Sequence, residues 1–107
     1  DDAITAFAAL AHPTRLDAFR LLVKAEPDGL STGRLVEASG LTQSTFSTHL
    51  AVLAKANLVI AEKHGRHQIQ RANIDALRWL MIFLAKDCCA GNAELCAPLI
   101  AELAPCC

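Results

Sequence analysis

The sequence predicts a mainly α-helical chain that contains one small β-hairpin. Its hydrophobic fraction is 53% and its aromatic fraction only 5%, a mixture that favours closely packed helices over a β-sandwich. Apolar residues recur with helical spacing, and a single Gly-containing turn separates two short β-prone runs. At 107 residues the chain is predicted to comprise a main domain at residues 1–87 and a cysteine-rich segment at residues 88–107.

Two helices are predicted in the first quarter of the chain. His12 and Pro13 separate them, because Pro13 is well placed at the first position of a new helix. The turn residues 26–29 end the second helix. The apolar face of the first helix is Ile4, Phe7, Ala8 and Ala11, and that of the second is Leu16, Phe19, Leu22 and Val23.

Two shorter helices follow, separated by a turn that contains glycine. We predict that Thr32 caps the third helix, that Gly40 ends it, and that Thr42 caps a fourth helix running to about Ala56. This arrangement is a helix-turn-helix. The exposed face of the fourth helix starts with the hydrogen-bonding side chains Gln43, Ser44, Ser47 and Thr48.

A β-hairpin is predicted at residues 58–71, with its turn at Gly65 and Arg66. A hairpin directly after a helix-turn-helix forms a winged helix, so this is the fold that we expect. Residues 42–71 carry four basic side chains and one acidic side chain, for a net charge of +3, whereas the flanking segments are acidic. The charge fits either a polyanion site or a solvated hairpin, and it does not by itself distinguish them.

Asn73 is predicted to cap the last helix, which begins at Ile74 and is apolar on every side between Trp79 and Ala85. Such a helix requires burial on all sides, so we expect a homodimer formed through this helix and the first one. The apolar run of seven residues is too short to span a membrane. The sequence has no signal-peptide pattern at its start, so we expect a cytoplasmic protein with no membrane partner.

Several stretches resemble one known family. Residues 8–16 and 20–22 resemble the entry to the ArsR/SmtB family of winged-helix repressors, and residues 41–50 resemble its recognition helix. The resemblance covers residues 4 to about 85 and extends to the hairpin turn. It implies a homodimer that binds double-stranded operator DNA and releases it when an inducer binds. This sequence departs from the usual family residues Pro, His, Lys and Gly at Ser44, Thr48, Ala51 and Asn57.

The resemblance also indicates which residues contact DNA. Arg66 at the hairpin turn is expected to enter a minor groove or hold a phosphate. His49 is expected to pack or hydrogen-bond within its helix. The residues expected to reach bases or phosphates from the major groove are Gln43, Ser44, Thr45, Ser47 and Thr48.

All the cysteines lie in the last 20 residues: Cys88, Cys89, Cys96, Cys106 and Cys107. Clusters of this kind in a chain without a secretion signal bind metals or sense redox state more often than they form disulfides. Their position excludes the cysteine sites that other members of the family place on the second and third helices. Asp75 has no histidine near it in sequence, which excludes the zinc site of the dimerisation helix.

Residues 87–96 resemble the branch of the family that binds trivalent arsenic. In one continuous helix Cys96 would lie about 10 Å beyond Cys89 along the axis, so residues 90–92 must reverse the chain for three sulfurs to meet. Three thiolates suit pyramidal As(III) or Sb(III), whereas Zn(II) requires a fourth ligand.

We therefore predict an As(III)-responsive repressor with an inducer site at Cys88, Cys89 and Cys96. The alternatives are a repressor that responds to thiol oxidation or one that responds to methylated arsenicals. The sequence shows no acid–base pair, activated nucleophile or phosphate-binding loop, which argues against an enzyme.

Overall fold

The computed structural model describes residues 2–85 and 93–103 of the chain. It confirms the predicted fold class, a mainly helical winged helix-turn-helix with a small antiparallel sheet. The elements are α1 (Asp2–Leu10), α2 (Pro13–Lys24), β1 (Leu30–Ser31), α3 (Thr32–Ser39), α4 (Gln43–Lys55), β2 (Val59–His64), β3 (His67–Ala72), α5 (Ile74–Ala85) and α6 (Ala93–Leu103). Two of them, β1 and α6, were not expected from the sequence.

The chain divides into two compact units, residues 1–77 and residues 78–107. In the first unit α2 lies at the centre and contacts α1, α3 and α4, and the strands β2 and β3 pack against α4 and α2. The largest fully buried side chains of this core come from both helices of the helix-turn-helix and from the segments beside it: Leu22, Leu35, Phe46, Leu53 and Leu58.

Local capping chemistry sets the ends of these helices. The Nδ1 atom of His12 accepts a hydrogen bond from the backbone N–H of Thr14 at 3.1 Å, and Pro13 begins α2 as predicted. The prediction that Thr32 caps α3 was wrong, because the cap is Ser31, whose hydroxyl accepts from the backbone N–H of Arg34. The hydroxyl of Thr32 instead donates to the backbone carbonyl of Gln68 in β3.

The sheet has the strand order β1-β3-β2, and all its pairings are antiparallel. The strand β1 is only two residues long, too short to leave a periodic pattern in the sequence. Gly29, just before it, has φ +72°, and a Cβ atom there would lie 2.5 Å from the carbonyl oxygen of Gln70. Only glycine therefore allows β1 to approach β3 this closely.

Asn73 joins the end of the helix-turn-helix to the start of α5. Its side-chain Oδ1 accepts from the backbone N–H of Ala76 and caps α5 as predicted, while its Nδ2 donates to the carbonyl of Asn57 at 2.9 Å. The backbone N–H of Asn73 donates to the carbonyl of Leu58 at 2.8 Å. Asn57 has φ +64°, which explains how it replaces the usual glycine, since asparagine tolerates this conformation better than most residues.

The apolar face predicted for α1 lies outward in the single chain. The side chains that α1 buries are Ala3, Ala6 and Ala9, whereas Ile4 is 67% exposed and Phe7 is 37% exposed. The small residues face the core because α1 packs closely on α2 and α4. The large residues of the predicted stripe therefore remain available for another surface.

The second unit contains most of α5, from Arg78 onward, and the helix α6. The rings of Trp79 and Phe83 stack at a centroid distance of 5.4 Å, and Leu80 is buried. The helix α6 follows the one that we predicted to be the last. The domain boundary predicted after residue 87 lies outside the described residues and stays a prediction. Among the described helices none is long and apolar enough to cross a membrane.

Candidate nucleic-acid interface

The helix α4 is held at its start by a cap and along its inner side by the core. The hydroxyl of Thr42 accepts a hydrogen bond from the backbone N–H of Thr45 at 3.2 Å and donates to the Thr45 hydroxyl at 2.9 Å. Phe46 and Leu53 are buried on the inner side of the helix. The opposite side of α4 therefore faces solvent along its whole length.

The five residues predicted to contact DNA from α4 all lie exposed in its first half: Gln43, Ser44, Thr45, Ser47 and Thr48. The hydroxyl of Thr48 donates to the carbonyl of Ser44, so its hydrogen is used within the helix. Within the described part of the chain, the side chains of Gln43, Ser44 and Ser47 have no hydrogen-bond partner. These three groups are free to bind an external ligand.

The second half of this face is mostly apolar, a feature to which the sequence analysis assigned no role. A shallow surface concavity runs over the last turns of α4 and is lined mostly by apolar atoms. Val52 is 36% exposed, and Ala51 is exposed beside it. The signal was present in the sequence as two apolar residues outside the core positions of the helix. The lining residues are Ser47, Thr48, Ala51, Val52 and Lys55.

A polar joint on the inner side connects α4 to the first two helices. Arg15 in α2 donates from Nη1 to the Nδ1 atom of His49 at 3.2 Å, and from Nε to the carbonyl of Ala9 at the end of α1. The rings of His49 and His12 lie 4.4 Å apart. The expectation that His49 packs is confirmed by its contact with His12, whereas its hydrogen-bond partner, Arg15, lies 34 residues away in sequence and not in α4.

This joint favours the neutral form of His49. Partial burial lowers the pKa of His49 below its ordinary value, and the nearby His12 and Arg15 lower it further. The hydrogen bond from Arg15 also favours the neutral form, because a doubly protonated imidazole has no ring nitrogen that can accept it. A neutral His49 is therefore part of the geometry that orients α4.

The tip of the hairpin presents the basic group that the sequence predicted. Arg66 is exposed at the turn between β2 and β3, where Gly65 adopts φ +63°. Lys63 and His67 are also exposed and line a surface concavity with Arg66. In the residues that the structure describes, neither Lys63 nor Arg66 forms an ion pair. Both cations at the tip therefore remain available to a polyanion.

Arg71, at the base of the hairpin, has a different role from the cations at the tip. Its guanidinium donates to both carboxylate oxygens of Glu26, at 2.8 and 3.1 Å, and to Glu62 at 3.2 Å. These carboxylates raise the pKa of Arg71, Glu26 most and then Glu62. A hydrogen bond from His64 and the contact with Arg71 lower the pKa of Glu62. One of the four basic residues counted from sequence is therefore neutralised within the fold.

The predicted cysteine site lies almost wholly outside the described residues. Cys88, Cys89, Cys106 and Cys107 are not among them, nor is the chain reversal predicted at residues 90–92. Cys96 is the fourth residue of α6. Within residues 2–85 and 93–103 there is no group of three metal-ligating side chains. The three-cysteine site stays a prediction.

The exposed side of α5 is apolar, in contrast to that of α4. Five large apolar residues of this helix are at least 40% exposed in the single chain, and Leu84 reaches 64%. Exposed apolar surface on this scale is characteristic of protein–protein contacts. The residues are Trp79, Met81, Ile82, Phe83 and Leu84.

Comparisons with known proteins agree with this arrangement. The family model described as a helix-turn-helix domain matches residues 10–60. An ArsR-like transcriptional regulator from Rhodococcus sp. RHA1 has 25% identity and a TM-score of 0.69, with 95% of this chain and 90% of that chain covered. The homodimeric winged helix-turn-helix DNA-binding domain of a Mycobacterium bovis protein has 26% identity and a TM-score of 0.66, with 81% of each chain covered.

A third structure is described as a "possible transcriptional regulator for arsenical resistance". It shares 28% identity with this chain at a TM-score of 0.63, and the match covers 74% of this chain and 79% of that one. No curated protein sequence matches the chain.

Proposed function

Because the chain is a winged helix-turn-helix transcriptional regulator of the ArsR family, we propose that it is a homodimeric repressor that leaves its operator when As(III) binds. The DNA-binding part rests on one observation, the exposed face of small hydrogen-bonding side chains on α4 beside a basic hairpin tip. The chain acts by binding DNA and is not an enzyme.

In this proposal α4 enters the major groove and the hairpin contacts the neighbouring backbone or minor groove. Gln43, Ser44 and Ser47 lie at the start of α4 with free donors and acceptors, the usual position of base-reading residues in a helix-turn-helix. Arg66 and Lys63 supply charge at the hairpin tip, where contacts to phosphate add affinity on any sequence.

The dimer is proposed to form through the outer faces of α1 and α5. Ile4 and Phe7 on α1, together with the apolar side chains of α5, are exposed in the single chain, and a partner would remove them from water. Two recognition helices about 34 Å apart can occupy successive major grooves, so a dimer fits a near-palindromic operator. A gel-filtration mass equal to one chain at micromolar concentration would contradict this part of the proposal.

The inducer is proposed to bind Cys88, Cys89 and Cys96. The support is chemical: these are soft thiolates, they are close in sequence, and no histidine lies beyond residue 67 to complete a zinc site. Sb(III) has the same preference for three thiolates. The two remaining cysteines of the sequence are Cys106 and Cys107. They either form a second, weaker site or do not bind the metalloid.

Induction requires only modest coupling between the inducer site and the operator. A tenfold loss of operator affinity corresponds to about 1.4 kcal/mol. We propose that As(III) binding changes how the two subunits meet, so that the recognition helices no longer match the spacing of the grooves.

The experiment is operator release by arsenite under reducing conditions, on duplex sites that the protein itself selects from a random library. The proposal expects wild type to release DNA, Cys96→Ser to respond at much higher arsenite only, and the double variant Cys106→Ser/Cys107→Ser to behave as wild type. An undiminished response of Cys96→Ser would contradict the three-thiolate site and favour a two-cysteine site for methylated arsenicals. Release by peroxide but not by arsenite would identify a redox sensor instead.

A further inference from the structure

The second half of the exposed face of α4 is apolar, whereas the first half carries hydrogen-bonding side chains. The polar groups of Gln43, Ser44 and Ser47 occupy the first half, and Lys55 stands at the end. Between them lie two exposed apolar side chains, Ala51 and Val52, in a concavity with mostly apolar lining. Neither belongs to the core, which takes Phe46 and Leu53 from the opposite side of the helix.

Thr48 extends this apolar surface toward the start of the helix. Its hydroxyl donates to the carbonyl of Ser44 at 3.3 Å, so the hydrogen is committed to the backbone. The remainder of the side chain is a methyl group on an exposed residue. Thr48, Ala51 and Val52 therefore form one continuous patch of small apolar groups, which we call the methyl patch.

We propose that the methyl patch reads the 5-methyl groups of neighbouring thymines in the major groove. This inference rests on the proposed function, because it requires α4 to lie in that groove. Thymine is the only base that presents a methyl group there, and small apolar groups such as an alanine side chain or the methyl group of threonine are suitable contacts for it.

The dimensions and surroundings of the patch favour DNA as its occupant. Thr48 and Val52 are four residues apart, about 6 Å along the helix axis, which matches roughly two base steps of 3.4 Å. The patch is continuous with the hydrogen-bonding residues at the start of α4 and is followed by Lys55, a cation suited to phosphate. The expected preference is therefore for two adjacent A·T pairs in each half-site, next to the position read by Gln43.

The test uses the full chain and duplex sites selected from a random library. Each thymine of the selected site is replaced in turn by uracil, a change that removes only the methyl group. We expect about fourfold weaker binding for each thymine that contacts the patch, and no measurable change at the others.

Two variants then assign the effect to the patch. Val52→Ser removes both methyl groups and leaves a single hydroxyl, and Ala51→Ser adds a hydroxyl at the neighbouring position. Each is expected to bring the thymine-to-uracil affinity ratio close to one at its own contact. Ile60→Ser is the matched control: it makes the same kind of change at another exposed aliphatic residue, 44% exposed in β2, and should leave the ratio unchanged.

The outcomes separate this inference from the proposed function. If no sequence is enriched from the library, the proposed sequence-specific regulator is wrong. If a site is enriched but uracil binds as well as thymine at every position, the methyl patch has no reading role while the regulator stands. The inference is also overturned if neither Val52→Ser nor Ala51→Ser reduces the thymine effect at any position of the site.

Discussion

The helices α4 and α5 both expose a long side to solvent, but the two sides have opposite chemistry. The exposed side of α4 starts with small hydrogen-bonding residues and has no aromatic side chain, whereas α5 exposes Trp79, Ile82, Phe83 and Leu84. The inner side of α4 is also anchored, by buried Phe46 and Leu53 and by the joint at His49. Only Leu80 is buried along α5.

This difference indicates how the two surfaces serve one function. A face of small polar groups stays in water without cost and can exchange water for DNA. A face of large apolar groups is stable only when covered, so it suits a partner that does not leave. Under the proposed function, α4 is therefore the reversible surface and α5 the permanent one.

The largest effect is expected from placing a charge on the apolar surface. Leu84→Glu should give a single-chain mass in gel filtration and weaken operator binding at least about 100-fold, because each chain then holds one half-site without the effective concentration of a linked partner. Leu84→Met, which conserves volume and apolarity, is the control and should remain dimeric. A dimeric Leu84→Glu protein would show that α5 is not the interface.

The next effect concerns base reading by α4. Gln43→Ala should weaken binding to the selected site about tenfold and relax the preference at one base pair, because it removes a side chain that can make two hydrogen bonds to adenine. Binding to random DNA should hardly change. Equal losses on both kinds of DNA would assign Gln43 to the phosphate backbone.

The hairpin offers an internal comparison between its tip and its base. Arg66→Ala should weaken binding several-fold on every sequence and reduce the salt dependence by about one phosphate contact. Arg71→Ala should leave the salt dependence unchanged but lower the melting temperature, because Glu26 and Glu62 lose their shared partner. The comparison fails if Arg71→Ala reduces the salt dependence as much as Arg66→Ala.

The smallest effect is a pH dependence at the joint of α4. Since the pKa of His49 is lowered in the folded chain, its contribution to stability is complete above the ordinary histidine pKa of about 6.5 and is lost as pH falls below it. The melting temperature of wild type should therefore fall more between pH 7 and pH 5 than that of His49→Gln. A wild-type melting temperature that falls no more than that of His49→Gln over this range would contradict this role of His49.

The features that could be predicted from sequence are those set by neighbouring residues. The cap at Thr42, the start of α2 at Pro13, and the turn at Gly65 depend on chemistry within three or four positions. The exposed residues of α4 were also predicted, because helical periodicity separates them from Phe46 and Leu53. The first helix was predicted to have an apolar face and to take part in the dimer contact, but its inward face of Ala3, Ala6 and Ala9 was not predicted.

The features that were missed depend on distant residues or on weak local signals. The ion pair between Arg71 and Glu26 joins positions 45 residues apart, and the bond between Arg15 and His49 joins positions 34 apart. The helix α6 contains Pro98, which normally argues against a helix interior. The strand β1 forms because it pairs with β3, and a segment of two residues is too short for its sequence pattern to predict a strand.

Asn73 has a consequence for how loss-of-function mutants of the proposed regulator would be classified. Its side chain caps the start of α5 and also donates a hydrogen bond to the carbonyl of Asn57, just after the end of α4. A substitution there therefore disturbs the helix that carries the reversible surface and the helix that carries the permanent surface at the same time. A genetic screen that sorts variants into DNA-contact and assembly classes would place most substitutions at this position in both. Asn73→Asp is the informative exception, because it keeps the capping oxygen and removes only the donor to Asn57.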